Sequence, residues 1–275
     1  MRCSLTALAL LLATATPLAA QAVSDTQVAS DAQVELLPHR GVYDLALVGG
    51  SANIDDARGR IVFEFAGDSC EGYVTTVRQV TTLSGAGSSQ TLDMNSTSFE
   101  EADGSSLRFR SETRADGVRI KQVDGNARNE DGQMLLDLRQ PEAASTTFPQ
   151  QPAFPVAHLK AIMRAAAQGT PTLAMTVFDG SDDGTQFYET LAIVGKELPP
   201  RGDDAFPAIA QTAQWPVTLR YFEQSDDQGE QTPAYVLSFQ LHENGVSPDL
   251  RLAFGEFVMA GTLQTLEELP ASDCP

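Results

Sequence analysis

The chain has three cysteines, three histidines and one tryptophan in 275 residues, and 18 basic residues against 37 acidic ones. Each shortage excludes something. Without a Cys-x-x-Cys spacing, dithiol redox chemistry is not expected. His39, His158 and His242 stand far apart with no partner at metal-ligand spacing, so neither a metal centre nor another cofactor is expected. A net charge of −19 opposes binding to nucleic acid or to an anionic membrane surface, and implies a solvated acidic exterior. No later segment offers the ~20 consecutive apolar residues that a membrane-spanning helix needs.

What is present begins with an export signal. Arg2 supplies the positive start, Leu5 to Leu12 the apolar run, and Ala20-Gln21-Ala22 a small-x-small site that places cleavage between Ala22 and Val23. Cys3 precedes the apolar run, so a lipid anchor is not expected. Residues 1–22 are therefore read as a signal peptide, 23–37 as a polar disordered tail, and 38–275 as a single β domain. Removal of Cys3 leaves Cys70 and Cys274, which in an oxidising compartment would form one disulfide; two free thiols are the alternative. The bond would close a loop of roughly 200 residues, for which chain entropy gives an upper figure near 5 kcal/mol.

Most of the mature chain alternates with a period of two. Ile61, Phe63 and Phe65 share one face, and Leu107 and Phe109 alternate with Arg108 and Arg110. Val118 and Ile120 alternate with Arg119 and Lys121, and Leu237, Phe239 and Leu241 repeat the pattern, as do Leu250, Leu252 and Phe254. Antiparallel strands with one face on a core read this way. The pairs Asp103-Gly104, Asp116-Gly117, Asp124-Gly125, Asp131-Gly132 and Asn244-Gly245 predict tight turns, and their spacing over 100–135 predicts a meander. One segment has helical periodicity: Val156, Leu159, Ile162, Met163 and Ala166 predict an amphipathic helix over Pro155–Gln168, started by a proline and stopped at Gly169. Gln140–Pro152 reads as a linker into it, and Glu197–Gln214 as an irregular loop.

The candidate sites are sparse. Asp179-Gly180-Ser181-Asp182-Asp183-Gly184 starts like a calcium loop, yet Thr190 stands twelfth where a bidentate glutamate is needed, so a hairpin turn without metal is expected. His158 reads as a packing histidine on the helix, His39 as a residue fixing strand entry, and Trp215 as core or rim. No Gly-x-Ser-x-Gly elbow selects a nucleophile, and paired carboxylates in so acidic a chain discriminate nothing. No catalytic residue is assigned, and no enzyme is expected.

A family resemblance rests on the order of several strings: His39-Arg40-Gly41-Val42-Tyr43-Asp44-Leu45, Gly59 to Phe65, Cys70-Glu71-Gly72-Tyr73, Phe154-Pro155-x-x-His158, Phe178-Asp179-Gly180-Ser181, and a closing Cys274. From about His39 to Cys274 the chain resembles the EipB-type cell-envelope integrity proteins of Gram-negative bacteria. The resemblance implies a periplasmic location, with a twisted antiparallel sheet wound into an open spiral or unclosed barrel. A few helices would pack on it, a disulfide would pair the early and terminal cysteines, and the shape would be similar to periplasmic lipoprotein carriers. Fold does not carry function. The first expectation is a non-enzymatic envelope protein whose sheet binds a lipid-like, peptide or protein partner. An envelope hydrolase with loop-borne catalytic residues and a purely structural scaffold are the rivals.

Overall fold

The computed structural model describes residues 34–50, 53–202, 205–224 and 232–271. The expected signal peptide with its expected cleavage site at Ala22 and Val23, the expected tail up to residue 33, and Cys274 lie outside the described residues. Before the main helix come β1 (His39–Gly49), β2 (Asp56–Asp68), β3 (Gly72–Gly85) and β4 (Ser88–Glu100). They are followed by β5 (Ser106–Ala115), β6 (Val118–Glu130), β7 (Gln133–Gln140) and β8 (Ala144–Phe148). After α1 (Pro155–Ala167) come β9 (Thr172–Val177), β10 (Tyr188–Val194), the short α2 (Pro207–Ala210) and β11 (Gln214–Glu223). The chain then runs through β12 (Tyr235–His242), β13 (Asp249–Phe254) and β14 (Phe257–Glu268).

All 14 strands form one antiparallel sheet in the order β8-β7-β6-β5-β4-β3-β2-β1-β14-β13-β12-β11-β10-β9. Each half is a meander, and β1 beside β14 is the one long-range seam that joins them. β8 and β9 are the two edges and do not pair with each other; Ala153 reaches β9 only through a single bridge to Val177. The sheet is an open, barrel-like winding, as the resemblance implies.

Turn chemistry places the hairpins. At Asp116-Gly117 φ is 50° and 81°, and at Asp131-Gly132 it is 49° and 82°, the left-handed pair that a tight hairpin requires. Asp124-Gly125 is different: it lies inside β6. A Cβ on Gly125 would stand 2.6 Å from the Phe109 ring and 2.8 Å from Leu138, so this glycine makes room for packing across the strand.

Three further expectations are corrected. The linker over Gln140–Pro152 contains β8, whose uncharged Thr and Ser pair with β7 despite lacking apolar alternation. Val34–Leu37 is docked: Leu37 N–H donates to Asn244 O, and Leu36 packs against Tyr73 and Val156 on one side and the α1 core on the other. Val118 and Ile120 are 67% and 60% exposed, because the β5–β6 hairpin projects beyond the core and a register shift at Thr113/Arg114 breaks the alternation. Val118→Thr is accordingly expected to change unfolding free energy by less than about 0.5 kcal/mol in a urea melt, as for an unpacked surface position.

The apolar interior falls into blocks. Leu107, Phe109, Val123, Met134 and Leu136 pack with Phe154, Phe178 and Phe187. α1 packs Ile162, Met163 and Ala166 onto Ala192, Trp215, Val217 and Leu241, with Leu159 at the margin. Val156 lies on Phe65 and Tyr73. The helix thus turns Val156, Leu159, Ile162 and Met163 onto the sheet, as its periodicity predicts. Trp215 is buried among these core residues. The loop over 197–214 forms α2 and sends Phe206 and Ile209 onto Tyr43, Leu45 and Leu263.

Candidate functional site

α1 is seated by a carboxylate from outside its own segment. Pro155 occupies the first turn, and no side chain of the preceding residues caps the helix. Glu100, the last residue of β4, accepts 2.7 Å hydrogen bonds from both Val156 N–H and Ala157 N–H. These are donors that a helix leaves unpaired, at the end where its dipole favours negative charge. Glu100 is only 2% exposed, and burial pushes its carboxyl up to about 7 against the opposing pull of the two N–H groups and of Lys160. The Lys160 ammonium stands 4.2 Å from the centre of the Tyr73 ring.

One turn along, His158 is buried and its Nε2 lies 3.2 Å from Thr190 Oγ1. Thr190 donates its own hydroxyl to Met175 O at 2.8 Å, so His158 donates from Nε2. Burial lowers His158 to about 4, which keeps the ring neutral near pH 7. His158 is a packing histidine that ties α1 to β9 and β10. His39 is buried too, with Nδ1 2.7 Å from Leu37 O and its ring 5.4 Å from that of Phe63.

The segment from Asp179 to Gly184 lies in the connection between β9 and β10, which pair antiparallel. Its carboxylates are used locally: Asp179 accepts from Ser181 N–H, Asp183 from Thr185 N–H, and Asp182 from Lys121 and from the Tyr188 hydroxyl. Among the described residues no group of three or more His, Cys, Asp or Glu side chains could hold a metal ion. With these carboxylates engaged locally, calcium is expected to leave the melting temperature of the wild type and of Asp183→Ala equally unmoved in a thermal scan.

A second location is a cleft of about 440 Å³ lined by Arg201, Phe206, Gln214, Gln240, Asp249 and Leu263, among others. Gln214 is 2% exposed and its Nε2 donates to Pro199 O. The Nε2 of Gln240 is buried and has no hydrogen-bond partner. A buried donor left unmatched is costly, so an acceptor brought to this cleft wall would be stabilised by it. Sequence reasoning missed both Glu100 and Gln240. Glu100 had only the weak signal of an acid directly before a turn, and Gln240 stands in a strand like any other polar residue. Cys70 lies in the β2–β3 turn, where its N–H donates to Asp68.

Among the described residues, no helix is long and apolar enough to cross a membrane. The model of the EipB-like family matches residues 30–270. The cell envelope integrity protein EipB of Brucella abortus (strain 2308) is 34% identical over 239 residues, covering 85% of this chain and 85% of that protein. The crystal structure of a beta-barrel-like protein of a domain of unknown function from Brucella abortus superposes with a TM-score of 0.81. It is 33% identical and covers 86% of this chain and 100% of that one.

Proposed function

Because the chain belongs to the EipB-like family, we propose that it is an exported periplasmic protein that supports cell-envelope integrity by non-enzymatic binding of a lipid-like, peptide or protein partner. The carrying observation is the unmatched Gln240 amide in the cleft beside Phe206 and Leu263. A partner offering one carbonyl or hydroxyl acceptor on an apolar body would satisfy the donor and cover the ring. Ligand sites are commonly of this kind, mostly apolar with few placed polar groups.

The test is Gln240→Leu. Removing an unsatisfied buried donor should leave stability unchanged or raise it by about 1 kcal/mol. Native mass spectrometry of protein purified from its own periplasm should show a retained ligand in the wild type and none in the variant. The variant should also fail to restore envelope resistance in a deletion strain. A Gln240→Leu protein that keeps both properties would remove this reading.

A further inference from the structure

Alternation along β5 turns Leu107 and Phe109 into the core and Arg108 and Arg110 to the opposite, solvent face. On that face Val74 pairs with Phe99, and Phe99 with Arg108; in the next row Thr97 pairs with Arg110, and Arg110 with Asp124. These residues and Arg139 line a depression of about 450 Å³. The Arg108 guanidinium lies 4.6 Å from the centre of the Phe99 ring, and Val74 is 38% exposed beside it.

The charge balance there is the reverse of the molecule's. The protein carries −19 overall, yet three guanidiniums meet one carboxylate in this depression. That carboxylate is engaged: Asp124 Oδ1 accepts from Arg139 Nε at 3.0 Å and from its Nη2 at 2.5 Å. Arg108 and Arg110 are two residues apart on one strand, so they project side by side within ~7 Å and repel each other. Their forked N–H donors match the geometry of an oxyanion. The nearest acids beyond the lining, Glu112 on β5 and Asp137 on β7, are engaged by Arg114 and by the Ser145 hydroxyl, and at physiological ionic strength the Debye length of ~8 Å screens the acidic surface farther off.

We propose that this outward depression is a binding site for a phosphoryl headgroup carried on an apolar body, that is, an anionic phospholipid. Arg108 and Arg110 hold the phosphoryl oxygens, Arg139 closes the rim, and Val74 with Phe99 supplies the apolar floor. The apolar floor is what favours a lipid over free phosphate. The site is on the solvent face of β3–β7, remote in the sheet order from the Gln240 strand, and either site can fail without the other.

The experiment is a titration of the full mature protein with dihexanoyl phosphatidylglycerol below its micelle concentration, and separately with inorganic phosphate. The lipid is expected to bind at least about tenfold more tightly than phosphate. Arg110→Ala and Arg108→Ala should each weaken lipid binding by about tenfold, and Val74→Ser should weaken lipid but not phosphate. Arg110 is exposed, so its replacement keeps the fold. Lipid binding that both arginine variants leave unchanged would overturn the site. Equal affinity for phosphate and lipid would overturn the lipid assignment, and the absence of binding would overturn both.

Discussion

Cys70→Ser is expected to lower the unfolding free energy by as much as about 5 kcal/mol, with Cys274→Ser and the double variant losing the same amount. Strand register supplies a reason to expect Cys70 and Cys274 to pair. His39 of β1 pairs with Phe65 of β2 on one side and with Glu268 of β14 on the other. β2 and β14 are both antiparallel to β1, so they run parallel to each other and leave the sheet at the same end. Phe65 and Glu268 are two strand spacings apart, ~10 Å. Cys70 follows Phe65 by five residues in the β2–β3 turn at this rim, the same rim at which the chain leaves Glu268. A bond there locks the β1–β14 seam, the contact with the longest sequence separation in the fold. A loop of about 200 residues gives the chain-entropy model its ~5 kcal/mol, an upper figure. For a domain of this size the melting temperature should fall by roughly 10–20 °C. Thermal melts with and without reductant check this: reduced wild type should match the three variants. A Cys274→Ser protein as stable as wild type would rule the Cys70–Cys274 bond out.

That seam also marks the limit of what the sequence shows. Period-two runs such as Ile61–Phe65 and Leu107–Arg110, the Asp116-Gly117 and Asp131-Gly132 turns, and the helix over 155–167 are local signals, and each is read from its own residues. Which strand lies beside β1 is not local, and only the family resemblance pointed to an open winding. β8 escaped because a short edge strand can be built of exposed Ala, Ser and Thr, with only its last residue, Phe148, packed on the core. Val118 and Ile120 alternate like a half-buried strand and are exposed, because alternation says which residues share a face, not whether anything covers it. Gln240 is legible only through what its amide fails to meet.

Glu100 is the extreme case, since a single acid in a chain with 37 acidic residues carries no signal until α1 is placed on it. Glu100→Ala is expected to leave two helix N–H groups without partners in a buried place, at about 1–3 kcal/mol each, and to lower stability by about 3 kcal/mol. The wild-type carboxyl adds a pH dependence of known sign. Burial raises it in the folded protein from the ordinary 4.5 to about 7, so the folded state binds the proton more tightly than the unfolded chain. Stability from this group is fully present below pH 4.5 and is lost as pH rises through about 7. At about 1.4 kcal/mol for each tenfold change in proton affinity, the loss is about 3 kcal/mol. Glu100→Gln keeps a carbonyl toward the helix and cannot titrate. The stability difference between wild type and Glu100→Gln should therefore move in favour of wild type on acidification from pH 8 to pH 4.5. Comparing the two proteins cancels the general relief of charge repulsion that any chain this acidic gains at low pH. Denaturant melts of both proteins across that range measure the difference. A difference that does not change with pH would mean that the two backbone donors and Lys160 outweigh burial and keep the carboxylate ionised throughout, so that the helix is clamped in the same way at every pH the protein meets.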